Sequence, residues 1–239
     1  MKAGTIRSTV AAGAGVAALC SASLAVAAFT QTASVTLTTH TAGHTSGILA
    51  AMRSTDATAP GGKPKALADV VITFPAGTRF NMATPLVTPC RLTDKQLTTP
   101  FGPSCPRRSK VGSGSALVNA SPLAQAVKAS VTAYVHSARQ MLLVIRPSLP
   151  GATPVIIHVT TSGSRLTIPV PRVVLGKARG FPGVTAVLVS LTLRLPALGS
   201  GSASLIRAGQ CTRRTFVVRS RFVYRDHSGL DIASTSSCR

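Results

Sequence analysis

Residues 74–114 read FPAGTRFNMATPLVTPCRLTDKQLTTPFGPSCPRRSKVGSG, with cysteines at Cys90 and Cys105. Thr93 to Leu97 is the one short helical candidate between them. Pro106, a basic cluster and a Gly-Ser run follow Cys105 and lead into a new apolar strand. Turn formers on both sides of so short a helix predict a small disulfide-closed knob carried on a β scaffold.

The flanking sequence supplies that scaffold. Upstream, Ala68, Val70, Ile72 and Phe74 alternate with Asp69 and Thr73, the period of a half-buried strand. Downstream, Val111 to Val118, Ser130 to His136, Gln140 to Arg146, Pro154 to Thr160 and Leu166 to Val170 read as further strands. Pro169 and Pro171 predict an edge for the last of these, because proline cannot donate to a ladder. In Thr185 to Leu195, Val187, Val189, Leu191, Leu193 and Leu195 face one way and Ser190, Thr192 and Arg194 the other. Near the C-terminus, Thr215 to Tyr224 and Leu230 to Ser234 flank the turn residues Asp226, His227, Ser228 and Gly229, a hairpin pattern. Phe216, Val218, Phe222 and Tyr224 share one face of it; Arg219, Arg221 and Arg225 share the other. Short, frequent strands broken by Gly, Pro and Ser, with almost no helical period, predict an all-β fold, an antiparallel β-sandwich.

Three segments are expected. Residues 1–27 read as a signal peptide: Lys2 and Arg7 precede the uncharged run Val10 to Ala28, and Ala25-Val26-Ala27 has the small-x-small cleavage pattern. Residues 28–62, rich in Thr, Ala, Ser and Gly, read as a linker or as the first short strands. Residues 63–239 form the β-sandwich domain. Cleavage removes Cys20 and leaves Cys90, Cys105, Cys211 and Cys238, an even set suited to two disulfides in an exported chain. Three pairings are possible; Cys90–Cys105 and Cys211–Cys238 are favoured because each closes a local loop. A regular hairpin about Asp226–Gly229 would set Cys238 opposite Val217, so the second pairing requires the chain before Thr215 to fold back.

Charge and composition narrow the function classes. Without Lys2 and Arg7, 24 basic residues face five Asp and no Glu, a net charge of about +19. Such a balance favours anionic partners, here cell-wall polymer or acidic glycan of the envelope. Arg107, Arg108 and Lys110 form one candidate anion site, and Arg219, Arg221 and Arg225 another. Two Tyr and no Trp supply few stacking platforms, so contact with nucleic acid would be backbone-directed rather than specific. The absence of Glu excludes H-E-x-x-H chemistry and leaves paired-carboxylate glycosidase chemistry poorly supplied. No G-x-S-x-G elbow is present. His40 and His44 lie four apart without a third ligand nearby, so neither a metal nor a cofactor is expected. The alternative to a non-enzymatic exported domain is an envelope hydrolase whose Ser/His/Asp site assembles in space from His136, His158 or His227.

One further pattern spans most of the chain. It runs Leu67-x-x-Val70, Pro75-Ala76-Gly77-x-x-Phe80-Asn81, Cys90, Cys105-Pro106, Ser109-Lys110-Val111-Gly112-Ser113-Gly114, Pro169-x-Pro171, Cys211, Tyr224-x-Asp226-x-x-Gly229 and Cys238. It resembles a group of uncharacterised secreted actinobacterial proteins with a cysteine-stapled β-sandwich domain. The resemblance implies an extracellular β fold; it implies no reaction and no functional residue.

Overall fold

The computed structural model describes residues 29–99, 103–122, 124–149, 152–175 and 184–239. The signal-peptide reading of residues 1–27, and Cys20 with it, lies outside the described residues.

Among the described residues there are fourteen strands and one α-helix. The strands are β1 (Phe29–Leu37), β2 (Ile48–Asp56), β3 (Leu67–Thr73), β4 (Arg79–Phe80), β5 (Lys110–Ala120), β6 (Ala124–Ser137) and β7 (Gln140–Pro147). Then come β8 (Val155–Ser162), β9 (Arg165–Pro169), β10 (Val173–Leu175), β11 (Val184–Leu195), β12 (Ile206–Arg207), β13 (Thr215–Tyr224) and β14 (Gly229–Ser237). The helix α1 spans Asp94–Thr98. The fold is all-β and antiparallel. Twelve strands form one sheet in the order β1-β2-β11-β5-β6-β7-β8-β9-β3-β13-β14, with β10 paired onto β11; β12 and β4 form a separate two-stranded ladder.

The facing layers belong to this one sheet, which curls until its ends meet. Val35 N–H donates to Ser234 Oγ across the β1–β14 seam at 3.0 Å. At one end of the seam the Phe29 and Tyr224 rings meet edge to face, 5.2 Å between centroids. At the other, Arg239 N–H donates to the His40 carbonyl (2.7 Å) and Ala42 N–H to the Arg239 carbonyl (3.1 Å). Residues 29–56 are thus part of the same sheet, β2 pairing with β11 through Ile48–Leu195 to Arg53–Ser190.

Strand alternation sends one face inward. In β13, Phe216, Val218, Phe222 and Tyr224 are buried while Arg219 and Arg221 are exposed. The interior collects Val, Ile, Leu and Met from nearly every strand into one core. This polarity, apolar inside and Ser, Thr and Arg outside, is the reverse of a membrane-spanning barrel. No helix among the described residues is long and apolar enough to cross a membrane. Burial in a strand also depends on what covers its outer face. In β7, Met141 to Ile145 are all buried, the continuous apolar run of a strand covered on both sides.

Three local expectations change. First, β9 is an interior strand between β8 and β3 rather than an edge. Its β8 ladder ends at Thr167, so Pro169 sits beyond the last residue that β8 pairs. Second, β11 carries a bulge between Leu188 and Ser190. The extra residue shifts the alternation, so Leu188, not Val189, lines the interior with Leu191, Leu193 and Leu195. Third, the C-terminal hairpin pairs Val223 with Gly229 and Val217 with Thr235, three residues from the expected register. Tyr224 to Ser228 form the loop, closed by Tyr224 N–H to the Ser228 carbonyl (2.9 Å) and His227 N–H to the Tyr224 carbonyl (2.9 Å).

Gly114 fixes how closely β5 and β11 approach. A Cβ on Gly114 would lie 1.8 Å from the Thr192 carbonyl oxygen, a distance no side chain tolerates.

Candidate functional site

The disulfides are Cys90–Cys105 and Cys211–Cys238, with Cα separations of 5.2 and 5.8 Å. The second is reached because the chain folds back before β13. Arg213 and Arg214 both take positive φ, 51° and 60°, and Thr212 and Thr215 exchange backbone hydrogen bonds of 3.3 and 3.0 Å. Cys238 N–H then donates to the Arg214 carbonyl at 2.9 Å. The first disulfide closes the knob that residues 90–105 predict. Thr93 and Gln96 form a capping box at the start of α1. Leu97 is buried with Cys90, Cys105 and Leu142, and Leu92, Tyr134 and Ile156 pack around them. The knob therefore covers the outer side of β6, β7 and β8.

Two of the candidate histidines, His136 and His158, lie beside it. His158 Nε2–H donates to both carboxylate oxygens of Asp94, each at 3.0 Å. His136 Nδ1–H donates to the Cys90 carbonyl at 2.7 Å, and the two imidazoles meet edge to face at 5.9 Å. These contacts fasten the knob to the sheet. The Asp94–His158 pair is open to solvent, and no serine hydroxyl among the described residues is hydrogen-bonded to either ring. His227 lies in the final turn with φ 65°. His40 Nδ1–H donates to the Ser237 carbonyl at 3.0 Å across the seam. Among the described residues no three His, Cys, Asp or Glu side chains gather as metal ligands.

The structure separates the two basic groups. Arg107 and Arg108 lie in a 3-10 turn, and Lys110 opens β5, which pairs with β6. Arg219 and Arg221 lie on β13, which is six strands from β5 in one direction around the sheet and five in the other. Arg225 leaves the row: it follows the last residue of β13, and its guanidinium donates to the Val170 carbonyl at 2.8 Å. Arg221 faces Asp231 across the β13–β14 ladder.

Arginines that stand alone in the sequence extend the β13 group. Arg165 on β9 pairs with Thr73 of β3, and Thr73 pairs with Arg219. Arg165 and Arg219 thus flank Thr73 on the outer face, about 9.6 Å apart at the usual strand spacing. Beyond Arg165 lies the β8–β9 turn. There Ser162 and Gly163 wall a cleft of about 430 Å3 together with Arg79, Phe80, Ala138, Arg139 and Thr161. Among the described residues no acidic side chain lines that cleft. Arg79, Arg139 and Arg165 form no cluster in the chain: Arg79 comes from β4, outside the large sheet, Arg139 from the β6–β7 turn, and Arg165 follows the turn that walls the cleft.

Near the opposite end of β13, ionisation is ordered by local bonds. Lys65 Nζ binds Asp226 Oδ2 at 2.8 Å, and this bond, with those from Ser228, holds the Asp226 carboxyl well below the usual range. Burial, reinforced by the charge of Asp226, pushes the Tyr224 hydroxyl up to about 12. Tyr224 therefore remains a donor, and its hydroxyl bonds Gln31 Oε1 at 3.1 Å.

Comparison with known proteins returns no match: no family model, no curated protein and no solved structure is similar to this chain.

Proposed function

We propose that the protein is an exported, non-enzymatic β domain that binds an anionic polymer of the cell envelope, a phosphate-bearing wall polymer or an acidic glycan. The observation that carries this reading is the run from the Arg79–Arg139 cleft past Arg165 to Arg219, in which, among the described residues, no carboxylate forms an ion pair with an arginine. Guanidinium groups bind phosphate and carboxylate through paired N–H donors, and a row of them can follow an extended polyanion. Export is supported by the two disulfides, which persist in oxidising compartments, and by the N-terminal sequence. Membership of the secreted actinobacterial group belongs to the same proposal.

The test is retention of the mature protein on wall polymer between about 50 and 300 mM salt, where screening changes most. The double variant Arg165→Ser/Arg219→Ser should elute earlier and with a shallower salt dependence. For a single-stranded polyanion, the log–log slope falls by about 0.7 for every phosphate that the variant no longer neutralises. Co-elution with the wild type over the whole range overturns the reading.

A further inference from the structure

The interior of the sheet contains a void of about 100 Å3, walled by Ala33, Ala50, Met52, Leu143, Leu191 and Phe222 among other side chains, all of them apolar. Eight strands close on an interior that side chains can fill, and the diameter grows with strand number. Here the path has eleven strands, and the chain has no Trp to fill the extra space. Three of the wall positions, Ala33 on β1 and Ala50 and Ala51 on the adjacent β2, are alanine. A second void of about 60 Å3 shares Ile145, Ile157, Val170 and Leu188 with the first, and its wall continues to Pro147, Pro171 and Val173. Those last residues are half-buried or exposed, so the apolar space runs from the centre of the molecule toward the surface. Its outer end is flanked in the chain by Arg146, between Ile145 and Pro147, and by Arg172, between Pro171 and Val173, both exposed. The Arg172 guanidinium donates at 3.3 Å to Thr185 Oγ1, on β11, whose Ala186 and Leu188 wall the second void.

We infer that this space is a binding site for the hydrocarbon tail of an anionic amphiphile, with the headgroup outside beside Arg146 and Arg172. Water does not suit the inner void, since an ordered water needs two to four polar partners and the wall offers none. An apolar cavity of about 150 Å3 accepts benzene; by that yardstick the two voids together hold roughly six carbons. The wall excludes polar atoms, and the two arginines favour a carboxylate or phosphate head. The site is independent of polymer binding, because Arg165 and Arg219 take no part in it.

The probes are straight-chain fatty-acid carboxylates of increasing length, added to the mature protein below their micelle concentrations. Native mass spectrometry should show a one-to-one adduct, and Tm should rise with chain length and then level off once the void is full. Ala50→Leu, which fills the inner void, should weaken binding at least tenfold; Arg172→Ser should weaken it less, with a greater effect at low salt. If Ala50→Leu fails to fold, Leu188→Phe closes the passage at the shared wall and serves in its place. The Arg165→Ser/Arg219→Ser variant should bind the carboxylates as the wild type does, which separates this site from the outer arginines. Absence of an adduct at every chain length, or unchanged binding in the folded filling variant, overturns the inference.

Discussion

At the scale of single residues, backbone clearance matters as much as side-chain chemistry. Gly112-Ser113-Gly114 resembles a phosphate loop in composition, yet its glycines serve strand packing: Gly114 lies under the Thr192 carbonyl, and a Cβ on Gly112 would meet the Leu195 side chain at 2.3 Å. Gly114→Ala should therefore destabilise the protein by about 3 kcal/mol or more, at the upper end of overpacking costs, because a backbone oxygen cannot rotate aside. Urea titration checks this; a loss under about 1 kcal/mol would mean that β11 can withdraw freely. The arginines show the converse. Arg219, Arg221 and Arg225 look equivalent in the sequence, but Arg225 is bound to Val170 and Arg221 faces Asp231. Arg219 alone of the three has no such neighbour on its ladder partners, Thr73 and Ala233.

Among the elements, the knob and β7 depend on each other. Leu142 is fully buried although it points away from the sheet interior, because Leu97 and the Cys90–Cys105 disulfide cover it. A five-residue helix is too short to persist in water alone, so α1 relies on its capping box, on the Asp94–His158 contact and on the disulfide. Replacing both Cys90 and Cys105 with Ala should cost about 3 kcal/mol, the chain-entropy value for a loop of this length. Hydrogen exchange should then rise first in residues 88–99, where Cys90 N–H bonds the Val135 carbonyl at 2.8 Å, while the β13–β14 ladder keeps its protection. Uniform loss of protection across the sheet would show instead that the knob is part of the global folding unit.

For the whole molecule, the curling of the sheet decides which basic residues act together. Closure places β5 and β13 on opposite sides, so the group at Arg107, Arg108 and Lys110 and the group at Arg165 and Arg219 present separate surfaces. Substituting Ser at Arg107, Arg108 and Lys110 together should therefore lower polymer retention independently of the Arg165→Ser/Arg219→Ser change. Separated sites without shared partners add within about 0.5 kcal/mol. Coupling well above that, measured from the salt-dependent binding constants of the two variants and their combination, would mean that one polymer chain wraps both sides. The same closure creates the apolar interior, a property of no single strand.

The sequence by itself determined the all-β class, the inward face of β13, that of β3 from Val70 onward (at its start Leu67, not Ala68, turns inward), and the short capped helix between Cys90 and Cys105; it favoured, among three pairings, the two disulfides that the structure shows. Each of these rests on local information: an alternation of period two, a capping residue, a short loop between cysteines. Only the tertiary structure decided the rest. The hairpin register moved three residues because the loop Tyr224–Ser228 closes on its own backbone bonds. The strand of Leu166 to Val170 became interior because β3, nearly a hundred residues earlier, pairs beside it. Arg165 and Arg219 came to flank Thr73, and Ala33 and Ala50 to wall a cavity, because a closing sheet joins strands far apart in the chain; Arg79 and Arg139 met at one cleft because the short β4 segment packs beside the β6–β7 and β8–β9 turns. Local patterns specify which face of a strand seeks the core; they carry no record of which distant strand will lie next to it.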